Sequence, residues 1–226
     1  MALDQSQNQN GRAGKAGLLL LKITLLLVLS CAAAVAYLAI RSRDPLYVVR
    51  ELKDWTDYRR FDPLIVKVAR EYDLDPRLIK AVVWRESRFQ ADMTGRNGER
   101  GLMQVSEIAA RDWAAAKGIR ELRPEQMLTP ELNLEIGTWH LSKAVQRWNS
   151  QDNAVPFALA EYNAGKSRVD RWVRTAEKRK GQPVTAETFQ DSIDFPSTAR
   201  YVRTILARYD FYKRRGPLLG AEPGPS

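Results

Sequence analysis

An all-α chain, with β structure confined to one short hairpin, is what this sequence of 226 residues predicts. Seven to eight helices are expected behind a single apolar N-terminal segment. Three observations lead there. Helix-start signals recur along the chain, each followed by apolar residues spaced three and four apart. Residues 23–40 carry no charge over 18 positions. Glycines capable of tight turns gather in only one place, residues 92–101, as Gly95, Gly98 and Gly101.

In chain order, residues 1–16 are polar and of low complexity. Residues 17–40 are apolar apart from Lys22, near one end where its stem reaches headgroups, and Arg41 and Arg43 close the other end. That length suits one bilayer-spanning helix that is retained. Two other readings stand beside it. Ala34-Val35-Ala36 has the small-x-small form of a signal-peptidase site, and Val28-Leu29-Ser30-Cys31 is similar to a lipoprotein box. Residues 41–58 read as a linker.

The folded part is expected over 59–214. Asp62-Pro63 places an N-cap before a first-turn proline, with Leu64, Ile65, Val68 and Tyr72 on one face. Asp75-Pro76 repeats the signal ahead of Leu78, Ile79, Val82 and Val83. Ser106 caps a helix ending near Gly118. Thr129-Pro130 opens a long one through Leu134, Leu141, Val145 and Trp148. Further helices fit 154–164, with Gly165 as the stop, then 167–179 and 197–213. Residues 215–226, rich in glycine and proline, read as a disordered tail.

Composition narrows the chemistry. Hydrophobic residues make up 44% and charged ones 28%, which excludes a wholly disordered chain and a polytopic membrane protein. With one cysteine, Cys31, there is no intramolecular disulfide; with one histidine, His140, no His/Cys zinc site forms unless subunits share ligands. No metal and no cofactor is expected, and His140 reads as packing or surface. A net charge of +9 suggests an anionic partner, lipid or acidic polymer. Because the charge is spread and not blocked, nucleic acid is not expected.

One residue is out of place. Continuing the stripe of Leu78, Ile79, Val82 and Val83 by three and four residues lands on Glu86. A carboxyl group there is pushed toward its neutral form, as a general acid requires. After it, Glu86-Ser87-Arg88-Phe89 runs into the glycine turn, and Gly101-Leu102-Met103-Gln104 follows.

These residues resemble the catalytic domain of the soluble lytic transglycosylases, related to goose-type lysozyme. The likeness rests on Glu-Ser-x-Phe, a short hairpin and Gly-Leu-Met-Gln. It extends through Asn133-Leu134-Glu135-Ile136-Gly137, Ala158-Leu159-Ala160-Glu161-Tyr162-Asn163-Ala164-Gly165, which resembles the family's Tyr-Asn-Ala-Gly, and Thr198-Ala199-Arg200-Tyr201-Val202. Together these motifs span about residues 60–210. A lysozyme-like domain is what the resemblance implies, with peptidoglycan glycan strands as partner. It also implies cleavage between N-acetylmuramic acid and N-acetylglucosamine with closure of a 1,6-anhydro ring.

Carried over by position, Glu86 is the acid/base. Ser87 contacts the acetamido group or orients Glu86, Met103 and Gln104 line the groove floor, Tyr162 and Asn163 contact sugar or Glu86, and Tyr201 brings its hydroxyl near the acid. Departures are Gly95 for a serine, Glu99 for an alanine, Val105-Ser106-Glu107 where a proline is frequent, and Ser197 for a glutamate. The rival reading is a lysozyme-type hydrolase, which needs a second carboxylate; Asp92 and Glu99 are its candidates. A non-catalytic wall-binding scaffold is the other. Of Trp84, Trp113, Trp139, Trp148 and Trp172, most are expected in the core, with one or two available to stack on sugar. The expected place is the bacterial envelope, anchored in the inner membrane with the domain in the periplasm.

Overall fold

Leucine-rich sequence near the N-terminus makes one long helix, α1 (Leu3–Ser42), in a computed structural model that describes residues 3–42, 57–180 and 184–220. Within α1, Gly17–Tyr37 is apolar, with mean hydropathy 2.5, and none of it is buried against protein. This unit, Met1–Thr56, is separate from the second, Asp57–Ser226. Most of the expected linker, and residues 221–226 of the expected tail, lie outside the described residues.

The second unit holds eight described α-helices: α2 (Asp62–Glu71), α3 (Pro76–Ser87), α4 (Glu107–Ala116), α5 (Pro130–Arg147), α6 (Ala154–Ala164), α7 (Lys166–Lys180), α8 (Ala186–Ser192) and α9 (Pro196–Arg214). Residues 92–105 carry no strand, only two isolated antiparallel bridges, Thr94 to Arg100 and Arg100 to Val105. Nothing else among the described residues is β.

Asp-Pro starts both α2 and α3, yet the two aspartates differ. Asp75 caps as expected: it accepts the Arg77 amide at 2.8 Å, and Tyr209 on α9 donates to its other oxygen at 2.8 Å. Asp62 is not a cap. It lies inside α2, buried, and accepts from Lys80 Nζ of α3 at 2.5 Å. Neither charge reaches water alone, so the pair fixes how α2 lies on α3. Burial pulls the Lys80 ammonium below its usual range, against the pull of Asp62 in the opposite direction.

Helix α6 is apolar on all sides, with Pro156, Phe157, Ala158, Leu159 and Ala160 buried, as suits a helix surrounded by others. It packs against α5, α7, α8 and α9, while α9 also runs along α3. The ends of α3, α6 and α9 therefore meet on one side of the core. Asn153 caps the start of α6, and Gly165, at φ 84°, ends it.

Helix α8 was not expected. It is seven residues long and buries one apolar side chain, Phe189, so it has no hydrophobic period to read. Its anchor is tertiary: the Phe189 ring stacks on Phe157 at 4.1 Å. A 3₁₀ turn, Pro124–Leu128, has no readable period for the same reason, with Met127 alone buried. The expected tail begins in contact with the domain: Leu218 is buried and Gly220 lies against Pro63. Trp84, Trp113, Trp148 and Trp172 are buried, and Trp139 is half-buried against the core.

Losing one member of the Asp62–Lys80 pair strands the other in the interior. Lys80→Met is expected to lower stability by about 3–5 kcal/mol, and adding Asp62→Leu to restore most of it. Urea unfolding of the two single variants and the double variant measures both.

Candidate active site

Glu86 sits in the last turn of α3, where the apolar stripe ends and a cleft of about 450 Å³ begins. Tyr201 of α9 donates to Glu86 Oε1 at 2.5 Å, leaving Oε2 to hold a proton. Burial pushes the Glu86 carboxyl from 4.5 up to about 7. The Tyr201 hydrogen bond and the Arg85 charge pull it down, and the Glu99 carboxylate adds to the rise. Burial and the Glu86 charge push the Tyr162 and Tyr201 phenols well above their ordinary value, so both hydroxyls act as donors at neutral pH.

The loop after α3 is held from below. Asn133 of α5, fully buried, accepts from the Met103 amide at 2.7 Å and donates to the carbonyls of Arg100 and Met127, both at 2.7 Å. One turn on, a Cβ at Gly137 would stand 2.6 Å from Met103 Sδ. Gly101, at φ 75°, leaves no room for a side chain beside Asn133. Asn133 and Gly137 thus form a socket for the Gly101–Leu102–Met103–Gln104 turn.

That socket changes two expected roles. Met103 does not line the cleft floor: its side chain is wholly buried in the core, and its carbonyl accepts from Tyr162 Oη at 2.9 Å. Ser87 does not face the cleft either. Its buried hydroxyl donates to the Leu102 carbonyl at 2.8 Å, tying α3 to the turn. Gln104, Tyr162 and Asn163 do line the cleft with Glu86. Gln104 adopts φ 47°; its amide group donates to the carbonyls of Met93 and Gly101, which leaves its oxygen as acceptor. Thr198 donates to Asn163 Oδ1 at 2.8 Å, so the Asn163 amide hydrogens are the groups left to bind.

Of the two turn carboxylates, Glu99 lines the cleft and Asp92 is exposed outside that lining. Hydrogen bonds from Asn97 hold the Glu99 carboxyl below its usual range, so it is ionised at neutral pH. None of the five described tryptophans lines the cleft, whereas His140 does, with Nε2 on the Ala109 carbonyl at 2.7 Å. Glu161 is a lining residue that its place in the motif did not single out.

The family described as Transglycosylase SLT domain matches residues 63–185, more than half of the chain. The chain belongs to that family. A soluble lytic murein transglycosylase of Salmonella typhimurium is 33% identical over 155 residues, 68% of this chain and 23% of the relative. A membrane-bound lytic murein transglycosylase F of Desulfosudis oleivorans is 26% identical over 181 residues, 71% of this chain and 38% of the relative. Among solved structures, an inactive mutant of lytic transglycosylase Slt from Pseudomonas aeruginosa superimposes with TM-score 0.59 at 26% identity, covering 70% of this chain and 24% of that one. The 70-kDa soluble lytic transglycosylase in complex with bulgecin A superimposes with TM-score 0.62 at 25% identity, covering 83% and 31%. This chain thus spans about a quarter of the length of its soluble relatives. The family match stops at residue 185, short of α9, so the hydroxyl on Glu86 comes from beyond the matched stretch.

The raised affinity of Glu86 for its proton has a stability consequence. A folded-state value of about 7 against 4.5 means that ionised Glu86 opposes folding, from about pH 4.5 upward and fully above about 7. Glu86→Gln is therefore expected to be more stable than wild type at pH 8, by up to about 3 kcal/mol. Unfolding curves at pH 8 and at pH 4.5 measure the gain and its disappearance.

Proposed function

We propose that the protein is a membrane-anchored lytic transglycosylase that cleaves peptidoglycan between N-acetylmuramic acid and N-acetylglucosamine. The observation that carries this reading is the half-buried Glu86, holding a proton near neutrality at the mouth of a cleft, with Tyr201 on one of its oxygens. Family membership supports the same reading. So does an inactive structural neighbour in which a glutamate is exchanged for glutamine.

Glu86 Oε2 donates its proton to the bridging oxygen as the bond to C1 breaks. The acetamido oxygen of the substrate stabilises the cation at C1. The resulting carboxylate is stabilised by the Tyr201 hydroxyl and takes the proton of the muramic 6-hydroxyl. That oxygen closes on C1 as a 1,6-anhydro ring. One proton leaves Glu86 and one returns, and no water is consumed. Gln104 and Asn163, with an oxygen and an amide group left over from their own hydrogen bonds, would orient the sugar amide.

A hydrolytic outcome is the second reading, because Glu99 lines the cleft and is placed among groups that act on Glu86. Mass spectrometry of digested sacculi separates the two, since the anhydro product is lighter by one water. We expect anhydro ends, and a loss of at least about a thousandfold for Glu86→Gln. Tyr201→Phe removes a bond that lowers the Glu86 value, so the alkaline limb of kcat/KM moves to higher pH. Glu99→Gln removes a charge that raises it and moves the limb to lower pH.

Anchoring rests on α1. Its 21-residue apolar stretch, at 1.5 Å per residue, is about 31 Å long and matches a hydrocarbon core. The reading places the domain on the periplasmic side of the inner membrane. Carbonate extraction of membranes tests retention: the full-length protein is expected in the pellet, and recovery in the supernatant at the mass cleaved after Ala36 overturns it.

A further inference from the structure

The cleft has a second wall that the acid/base chemistry leaves unused. Val105, Ser106 and Ala109 come from the approach to α4 and its first turn, His140 and Ala144 from α5, and Glu161 from α6. Val105, Ala109 and Ala144 are the wall's apolar members, of which Val105 and Ala144 belong to the core. Polar side chains line it as well, among them His140 and Glu161. A carbonyl only accepts, so His140 Nε2 donates to the Ala109 oxygen at 2.7 Å, which fixes the ring against α4. Glu161 is locked in place: Trp148 Nε1 donates to Oε2 at 2.8 Å, and Arg147 pairs with Oε1. A carboxylate offers about four lone-pair sites, so each oxygen keeps one beyond those bonds.

The charge of this surface is opposite to that of the chain. Against a net charge of +9, the eleven lining residues among those described include Glu86, Glu99 and Glu161 and neither lysine nor arginine. With the proton on Glu86, two carboxylates remain to repel an anionic ligand and attract N–H and O–H donors. Fixed polar groups in a concave site set the orientation of a ligand through its hydroxyl and amide groups.

We infer that this wall is a saccharide subsite in which Glu161 accepts a hydrogen bond from a hydroxyl or amide N–H of a carboxylate-free N-acetylhexosamine. The inference rests on the reading of the cleft as glycan-cleaving and refines it. Within peptidoglycan, the wall selects N-acetylglucosamine over the muramic unit, whose lactyl group carries the acidic stem peptide.

The test uses full-length protein in detergent micelles carrying Glu86→Gln, so that ligand is bound and not consumed. The probes are a hexamer of N-acetylglucosamine and glycan strands bearing stem peptides, followed by titration calorimetry. Adding Glu161→Ala is expected to weaken hexamer binding by about tenfold, as loss of one charge-assisted hydrogen bond does. Glu161→Gln, which keeps acceptor and shape but loses the charge, falls between and serves where the alanine variant does not fold. Arg147→Ala breaks the same ion pair from outside the lining and is expected to leave binding within twofold. Equal losses for Glu161→Ala and Arg147→Ala would mean that Glu161 only clamps α5 to α6, and unchanged affinity would mean that it touches no sugar; either overturns the inference. If the Glu86→Gln protein binds neither probe, the reading of the cleft falls and the subsite with it. If it binds both and the Glu161 variants bind equally well, the subsite alone falls.

Discussion

A carboxyl group withheld from water at the end of α3, with a phenol hydroxyl on one oxygen, is the condition on which the rest of the domain turns. Withdrawal from solvent favours the protonated form, and the Tyr201 hydrogen bond favours the ionised one. A value near 7 is the balance between them. Neither group can move far without changing it, so the ends of α3 and α9 must stay in register. Much of the remaining architecture serves that register. Tyr209 ties α9 to the Asp75 cap at the far end of α3, and the Asp62–Lys80 pair fixes α2 against the same helix.

The cleft floor is held by a second device of a different kind. Asn133 satisfies three backbone groups of the loop region at once, and Gly137 makes room for Met103. Buried backbone polar groups without partners are costly, so a loop that leaves regular structure needs such a side chain. The result places Gln104, in a left-handed conformation unusual for a side-chain-bearing residue, at the cleft surface. Ser87 and Met103 thus lie beneath the cleft and Gln104 lines it. Residues of the two motifs that flank the turn have different tasks.

How much of this was legible varied with the range of the interaction. The phase of Leu78, Ile79, Val82 and Val83 pointed to Glu86, because a helical face is a local property. Caps at Asp75, Ser106 and Asn153 were readable or consistent with local rules for the same reason. Asp62 carried the same local signal and does something else, since Lys80, eighteen residues on, takes its carboxylate. Glu161 and His140 were opaque. Nothing adjacent in sequence reveals that Trp148, Arg147 and Ala109 turn them toward the cleft.

What the sequence by itself determined was whatever depends on neighbours along the chain: the apolar N-terminal segment, most helices, the glycine turn and the one carboxylate on an apolar stripe. Packing in three dimensions settled which oxygen of Glu86 the Tyr201 hydroxyl meets, which motif residues line the cleft and which lie in the core, and where a single buried Phe189 suffices to hold α8. The division follows from the forces. Backbone hydrogen bonding and helical period act over a few residues, whereas burial and side-chain pairing act through space between positions 115 residues apart, as from Glu86 to Tyr201.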